Sequence, residues 1–177
     1  QTTERMCTVD WSPDSRFLAY GSGGKIKIYD AETGLVDCFE RNMYQIEAIA
    51  WSPNGQYLAS SYNDKTIRVW DIQAKQCIFE KNQSEIITKL FWSSSSRYLA
   101  AICFKRELWV WDMQTKNSIT SEDDTEDIVS IAWHPKSQHL AYGSWDDTLK
   151  VWDVQTNEKH LISIHPNHHR TLVWSLD

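Results

Sequence analysis

The sequence lacks any long hydrophobic run. No stretch reaches the roughly 18 consecutive apolar residues that a membrane-spanning helix needs, so we expect no membrane partner. The first residues, QTTERMC, carry charges of both signs and no apolar segment, so we expect no signal peptide either. Both absences predict a cytoplasmic protein, with the nucleus as the alternative compartment.

Cysteine is scarce and follows no metal-binding pattern. There are four cysteines, without a CxxC pair and with spacings that match no zinc motif: Cys7, Cys38, Cys77 and Cys103. We interpret them as small hydrophobic residues in a reducing compartment. The histidines lie late in the chain, above all in the run 165–169, but no cysteine or HExxH motif accompanies them. The sequence therefore predicts no metal site.

Catalytic motifs are missing as well. The glycine-rich segment Gly21–Lys25 resembles a phosphate-binding loop, but the GxxxxGK[ST] spacing is absent and we interpret the segment as a hairpin. No GxSxG nucleophile motif occurs, and the serines fall mostly in predicted turns. We therefore expect no enzymatic activity and no cofactor.

Basic residues are outnumbered. Lys and Arg total 18 against 24 Asp and Glu, which gives a net charge of −6. An acidic chain binds phosphate backbones poorly, so nucleic acid is not the expected partner. We interpret the densest acidic run, 122–127, as a solvated loop, with a docking site for a basic partner as the alternative. Apolar residues make up 41% of the chain, which is enough for a packed core.

What the sequence does have is tryptophan, arranged in a repeat. Ten of the 177 residues are tryptophan. In four units a Leu-Ala pair begins 7 residues after a Trp, an aromatic-Asp pair ends 12 or 13 residues later, and the next Trp follows after another 21. The full period is 41 residues in three units and 40 in the first, which is one residue shorter. The repeated tryptophans are Trp11, Trp51, Trp92, Trp133 and Trp174.

Each unit is typical of four short antiparallel strands. An apolar strand ends on the Trp, a turn leads to the Leu-Ala strand, and a tight hairpin leads to a strand rich in β-branched and aromatic residues. A weaker fourth strand forms an outer edge. In the first unit the hairpin contains Gly23 and Gly24, which suit a two-residue turn with positive φ. One position in the turn after the aromatic-Asp pair is occupied in the four units by Gly34, Lys75, Lys116 and Asn157. A left-handed conformation at this position would suit glycine and asparagine but would strain the two lysines.

The strings W-S-P-x-x-x-x-L-A and x-V-W-D resemble the WD40-repeat family, and they do so over essentially the whole chain. The resemblance implies an all-β fold, a WD40-type β-propeller of four-stranded antiparallel blades, and protein binding without catalysis. We expect a single propeller region over 1–177. Its four blades would span 4–41, 46–81, 86–122 and 128–164, and the first strand of a fifth blade would span 169–175.

The repeats leave the propeller ring incomplete, and three arrangements remain open. The chain is a piece of a longer propeller, two chains complete a ring by self-association, or four blades close alone. The family often has a buried His-Ser-Trp-Asp tetrad in a blade. The second unit has Ser60, Asp64 and Trp70, but Asn42 takes the histidine position. Since no unit has the full set, we expect modest blade stability.

In such a blade, the loop entering the first strand and the hairpin between the second and third strands share one face, where a partner would bind. Trp145 and Phe104 fall at hairpin positions outside the repeated pattern, and packing on a neighbouring blade is the alternative for both. The candidate partner-binding residues on this face are Tyr44, Tyr62, Asn63, Glu85, Phe104, Lys105, Arg106, Glu126 and Trp145.

The sequence thus predicts a non-catalytic scaffold that binds another protein or a peptide through the loop face of the propeller. Two alternatives remain. One is a regulatory or sensor propeller of a larger multidomain enzyme or ATPase. The other is a reader of RNA or of modified peptide tails.

Overall fold

A computed structural model describes residues 6–41, 43–104, 107–120, 128–136, 138–164 and 172–174. This part of the chain contains sixteen strands in four antiparallel sheets, each with four strands in sequence order. The all-β prediction of four four-stranded blades is therefore confirmed. Among the described residues there is no helix with the length and apolar character that crossing a membrane requires.

Each sheet is formed by four consecutive strands of the chain. Sheet 1 contains β1 (Met6–Trp11), β2 (Phe17–Ser22), β3 (Lys25–Asp30) and β4 (Val36–Arg41). Sheet 2 contains β5 (Ile46–Trp51), β6 (Tyr57–Tyr62), β7 (Thr66–Asp71) and β8 (Gln76–Asn82). Sheet 3 contains β9 (Ile87–Trp92), β10 (Tyr98–Cys103), β11 (Leu108–Asp112) and β12 (Ser118–Thr120). Sheet 4 contains β13 (Ile128–Trp133), β14 (His139–Ser144), β15 (Thr148–Asp153) and β16 (Glu158–Ile164).

The fourth strand lies at an edge of every sheet, as expected. Of the fifth-blade strand predicted at 169–175, only residues 172–174 are described, and they are not in a strand.

A serine stabilises the turn between the first and second strands. The Ser52 hydroxyl accepts a hydrogen bond from the Tyr57 amide at 2.8 Å, and the Gly55 amide donates to the Ser52 carbonyl at 2.9 Å. The same hydroxyl contact recurs in sheets 1 and 3, between Ser12 and Phe17 and between Ser93 and Tyr98. Sheet 3 forms this turn from serines alone, so the proline of the other units is not required.

The aspartate of each aromatic-Asp pair joins two turns. Asp112 is only 8% exposed, and its Oδ2 accepts a hydrogen bond from the Arg97 guanidinium at 2.8 Å. Its Oδ1 accepts from the Gln114 amide, also at 2.8 Å, and so holds the turn after β11. The repeated aspartate is therefore a structural residue. Its equivalents in sheets 1 and 4 form the pairs Arg16–Asp30 at 3.0 Å and His139–Asp153 at 3.5 Å.

The backbone is left-handed at two kinds of turn. Gly23 and Gly24 have φ angles of 56° and 73°, as the two-residue hairpin requires. Four residues share the left-handed position after the aromatic-Asp pair: Gly34 at 72°, Lys75 at 52°, Lys116 at 62° and Asn157 at 63°. The two lysines are therefore held in a conformation that glycine adopts more easily.

Contacts divide the chain into two compact units, Gln1–Leu90 (unit 1) and Phe91–Asp177 (unit 2). The unit 1 core joins sheets 1 and 2, where Ile26 and Leu58 are completely buried. The unit 2 core joins sheets 3 and 4, where Leu108 and Trp152 are completely buried. Each unit therefore has a hydrophobic core of its own, formed by two packed sheets.

Part of the tetrad is present in sheet 2. The Trp70 indole donates to the Ser60 hydroxyl at 3.0 Å, and that hydroxyl donates to the Tyr62 phenol oxygen at 3.1 Å. Asp64 accepts from the amide and the hydroxyl of Thr66, at 3.0 and 2.6 Å, and so stabilises its own hairpin. Residue 42, at the histidine position, lies outside the described residues.

Two cysteines differ from expectation. Cys103 is buried, as a small hydrophobic residue should be, but Cys38 and Cys77 are exposed. Both exposed thiols lie on fourth strands, β4 and β8, which are sheet edges. An outer strand is covered less completely than the inner strands of its sheet, as the mostly exposed residues of β8 show.

Candidate partner-binding face

In sheet 2 the loop entering the first strand contacts the hairpin between the second and third strands. The Gln45 amide donates to the Asn63 side-chain oxygen at 3.2 Å, and the Asn63 amide donates to the Gln45 carbonyl at 2.9 Å. These reciprocal bonds place Asn63 beside Tyr44, the residue before Gln45. The predicted sharing of one face by these two loops is therefore observed in sheet 2.

The next loop of unit 1 approaches the same hairpin. The Lys65 ammonium donates to the Ser84 carbonyl at 2.6 Å and lies 3.8 Å from the Glu85 carboxylate. The Gln83 amide donates to the Lys65 carbonyl at 2.9 Å. Glu85 therefore lies near the hairpin that carries Asn63. We call Tyr44, Asn63 and Glu85 the loop patch of unit 1.

The two predicted tyrosines differ in exposure. Tyr44 is 44% exposed, whereas Tyr62 is completely buried. The Tyr62 ring lies under the Arg68 guanidinium, 5.0 Å from its centroid, and its phenol oxygen accepts from Ser60. A side chain without accessible surface offers a partner nothing to contact, so Tyr62 supports the sheet and is left out of the loop patch.

Unit 2 presents two aromatic rings at hairpin tips. Phe104, after β10, is 57% exposed, and Trp145, after β14, is 49% exposed. Their hairpins occupy equivalent places in sheets 3 and 4, which share one core. Neither ring is a core side chain. We call Phe104 and Trp145 the hairpin patch of unit 2.

The hairpin that carries Trp145 is held by a compact set of hydrogen bonds. Asp146 Oδ1 accepts from the Ser144 hydroxyl at 2.6 Å and from the Thr148 amide and hydroxyl at 3.0 and 2.6 Å. Burial alone raises the pKa of Asp146, but these bonds outweigh burial and hold that pKa below its usual range. Trp145 is therefore presented on an ordered hairpin next to a carboxylate that is ionised at neutral pH.

Three predicted residues, Lys105, Arg106 and Glu126, lie outside the described residues, and their role stays a prediction. The same holds for the histidine run at 165–169. The described residues contain no group of three or more His, Cys, Asp or Glu side chains that could hold a metal ion.

Sequence reasoning missed two features of unit 1. Met43 is 90% exposed beside Tyr44, and its position in a loop next to an aromatic residue was an available signal. The second feature is a cleft of about 310 Å³ with Phe17, Phe39 and Ile72 among its apolar lining residues. Residues of both sheets line this cleft, so no local pattern could have indicated it.

Comparison with known proteins identifies the family to which these repeats correspond. The sequence profile of the WD domain, G-beta repeat (WD40) matches residues 2–30, 37–71 and 115–153, more than half of the chain. The chain belongs to the WD40 family. It is 36% identical over 73 residues to the target of rapamycin complex subunit wat1 of Schizosaccharomyces pombe, an alignment covering 40% of this chain and 22% of that protein. The COMPASS component SWD1 of Saccharomyces cerevisiae is 37% identical over 70 residues, 36% of this chain and 16% of that protein.

A solved structure supports the fold of this WD40 chain. The β-propeller domain of Cps50 (Swd1) from Myceliophteria thermophila matches with a TM-score of 0.75 at 20% identity, over 92% of this chain and 57% of that one. The β-propeller fold class is therefore confirmed. WD repeat-containing protein 1 of Mus musculus is 37% identical over 75 residues, 40% of this chain and 12% of that protein. The chain thus aligns with less than a quarter of each of these curated relatives.

Proposed function

We propose that this WD40 chain is a non-catalytic interaction scaffold that binds a protein or peptide partner through the hairpin patch of unit 2. The observation that carries the proposal is the exposure of Trp145 and Phe104, at 49% and 57%, on hairpins outside the repeated core positions. Large aromatic rings contribute most of the energy at many protein interfaces, and a rigid hairpin loses little entropy when it binds.

The surroundings of Trp145 define the chemistry of the partner. Asp146 and Asp147 follow the indole directly in the sequence. An aromatic face beside negative charge fits a segment with a basic side chain next to an apolar one, because the cation interacts with both the ring and the carboxylate. We therefore propose a partner with a Lys or Arg in the bound segment.

The relatives support a role in assemblies. Two of them are named as a subunit or a component of a complex, the target of rapamycin complex and COMPASS. A surface that binds partners is what such a subunit needs. We also propose the cytoplasm as the compartment, since four cysteines spread over 177 residues do not make the dense disulfide framework of small secreted domains. Fractionation of cells expressing the tagged chain tests that location.

The proposal is tested with a matched pair of exposed residues in unit 2. Trp145→Ala removes the indole of the hairpin patch, and Leu161→Ala removes a 55% exposed side chain from the outer strand β16. Tagged wild type and both variants are used to capture partners from cells. A protein retained by the wild type and the Leu161 variant, but lost with the Trp145 variant, is then purified and titrated.

We expect Trp145→Ala to raise the dissociation constant for that partner by at least about 30-fold, which corresponds to a hot-spot contribution of about 2 kcal/mol. The melting temperature should stay unchanged, because the ring is half exposed. Partners that bind the Trp145 variant as tightly as the wild type contradict the proposal. So does a melting temperature that falls by several degrees, which would make Trp145 a core residue.

A further inference from the structure

A polar cleft of about 420 Å³ lies in unit 2, where the turns between the first and second strands of sheets 3 and 4 approach each other. These turns and the turn after β15 contribute its polar side chains: Ser94, Ser95, Arg97, Lys136, Gln138 and Gln155. Each of these side chains can donate a hydrogen bond, and two are cationic. No Asp or Glu is among the described residues that line the cleft. In a chain with a net charge of −6, this cleft therefore favours an anion.

The Arg97 guanidinium is held in place and still has a nitrogen available. Its Nε and Nη2 donate to Asp112 Oδ2 at 3.2 and 2.8 Å, and its central carbon lies 5.0 Å from the centre of the Tyr98 ring. Nη1 makes no hydrogen bond to any described residue. The Arg97 side chain is 37% exposed, so an external anion can reach Nη1.

Sheet 1 shows how an arginine at the same repeat position is fully paired. Arg16 Nη2 lies 3.0 Å from the Asp30 carboxylate, and Arg16 Nη1 lies 3.3 Å from the Glu32 carboxylate. In sheet 3 the position of Glu32 is Gln114, which is neutral. The second carboxylate is therefore missing in sheet 3, and Nη1 of Arg97 is left for an anion from outside the chain.

A second repeat position changes the charge of the cleft in the same direction. The third residue after the repeated tryptophan is, in sheet order, Asp14, Asn54, Ser95 and Lys136. In sheet 1 the Asp14 carboxylate accepts from the Arg16 amide at 3.1 Å, so it belongs to its own turn. Unit 1 therefore has a negative charge at this position, whereas unit 2 has a positive one.

Three neutral side chains of the cleft also keep their donors. The Ser93 hydroxyl holds the turn of sheet 3 by accepting from the Tyr98 amide at 2.9 Å, so the turn does not need the hydroxyl of Ser94. The side chains of Ser94, Gln138 and Gln155 form no hydrogen bond with any described residue. Hydroxyl and amide donors therefore surround the two cations without being used by the fold.

We propose that this cleft binds the phosphate group of a phosphorylated serine or threonine in a partner protein. Arg97 comes from sheet 3 and Lys136 from sheet 4, so cations approach the anion from both walls. A phosphate presents three terminal oxygens that point in different directions, whereas a carboxylate presents two in one plane. Donors that come from three separate turns match the phosphate better.

This site lies apart from the hairpin patch. The cleft is at the start of β10 and β14, whereas Phe104 and Trp145 follow the ends of these two strands. A strand of six residues is about 20 Å long, so one small group cannot contact both places. The proposal therefore goes beyond the hairpin patch, and it can fail or hold independently of that patch.

The first test titrates the ¹⁵N-labelled full chain with three Gly-Ala peptides that differ only at the central residue, which is phosphoserine, glutamate or serine. We expect the phosphoserine peptide to shift the backbone amide signals of Ser94, Ser95 and Lys136 to saturation. Its dissociation constant should be at least about tenfold lower than that of the glutamate peptide, and the serine peptide should cause no shift.

Three results overturn the proposal. The first is a glutamate or serine peptide that binds as tightly as the phosphoserine peptide. The second is a phosphoserine peptide that leaves these amide signals unchanged. The third is inorganic phosphate that binds while the phosphoserine peptide does not, because the cleft then accepts only the free ion.

The second test supplies the carboxylate that sheet 3 lacks. Gln114→Glu places an acidic side chain at the repeat position of Glu32, where it can pair with Arg97. We expect it to raise the dissociation constant of the phosphoserine peptide at least about fivefold without lowering the melting temperature. The matched control Gln73→Glu adds the same charge at the same repeat position of sheet 2, where Gln56 replaces the arginine. Equal dissociation constants for the two variants overturn the role of Arg97.

Two further variants complete the test. Lys136→Asn gives sheet 4 the residue that sheet 2 has at this position, and it should also weaken the phosphoserine peptide at least about fivefold. A Lys136→Asn chain that binds like the wild type contradicts a site formed by both sheets. Trp145→Ala should bind this peptide like the wild type, since the hairpin patch is at the other end of the strands. Loss of peptide binding in Trp145→Ala would overturn the separation of the two sites.

Discussion

Replacing Asp112 by alanine should destabilise the chain strongly, because one buried carboxylate holds two turns of sheet 3. Arg97 donates to its Oδ2 from Nη2 at 2.8 Å and from Nε at 3.2 Å. The amides of Gln114 and Thr115 donate to its Oδ1 at 2.8 and 3.4 Å. The carboxylate side chain is 11% exposed and the Arg97 side chain 37% exposed, so the ion pair is partly shielded from water.

The size of the effect follows from these contacts. A side chain that satisfies turn amides contributes about 1 kcal/mol, by analogy with helix caps. A charge-assisted pair at this degree of burial contributes about 2 kcal/mol. We expect Asp112→Ala to lower the free energy of unfolding by about 3 kcal/mol, which for a chain of this length lowers the melting temperature by about 6–12 °C.

Asp71 provides the matched control in sheet 2. It accepts from the Ala74 amide at 2.8 Å but has only a long contact, 3.5 Å, to the Gln56 side chain. We expect Asp71→Ala to cost about 1 kcal/mol, since it lacks the arginine. Urea unfolding followed by tryptophan fluorescence measures both variants. Equal losses in the two variants would refute the role given to Arg97.

The same carboxylate predicts a pH dependence. Burial raises the pKa of Asp112, but the Arg97 and turn-amide bonds outweigh burial and hold that pKa below its usual range. A folded-state pKa below the unfolded value means that this stabilisation is present above about pH 4 and is lost as the pH falls towards the folded-state pKa. Asp112→Asn should therefore make the free energy of unfolding depend less on pH below about pH 4.

Three further predictions concern strain, burial and the sheet 2 hydrogen bonds. Lys116→Gly should raise the free energy of unfolding in urea by about 0.5–1 kcal/mol, because φ is 62° there, whereas Lys116→Ala should not raise it. Burial raises the pKa of Asp10, although the amides of Trp51 and Trp11 lower it in part. The stability linked to this shift is therefore present at low pH and lost as the pH rises through the folded-state value, and Asp10→Asn should remove that dependence in the same urea series. Ser60→Ala removes the acceptor of the Trp70 indole and should cost about 1–2 kcal/mol in thermal melting, while unchanged stability would contradict its place in the buried bonds.

The repeat made most of the fold predictable. The spacing between tryptophans located the strands, and β5, β9 and β13 each end at a repeated tryptophan, as predicted. Gly34, Lys75, Lys116 and Asn157 share a left-handed backbone, although the sequence alone did not require that conformation at this position. Local backbone geometry repeats with the sequence, so one unit informs the others.

The site was less predictable, because side-chain burial depends on neighbours that the repeat does not specify. Tyr62 sits at a hairpin position, yet it is buried under Arg68, which comes from the adjacent strand. The Arg97–Asp112 pair joins residues 15 positions apart, and its strength depends on their shielding from water. Trp145 and Phe104 stood out because they interrupt the repeat, but the sequence left exposure and packing on a neighbouring blade as alternatives, and both rings are exposed.

We propose that a partner binds this chain at the hairpin patch of unit 2. The most direct measurement is amide hydrogen exchange of the full chain with and without the partner recovered by Trp145-dependent capture. We predict slower exchange at the β10–β11 and β14–β15 hairpins around Phe104 and Trp145, with no change on the outer strand β16. Protection confined to β16 or to the other outer strands, with exchange at these hairpins unchanged, would contradict the account.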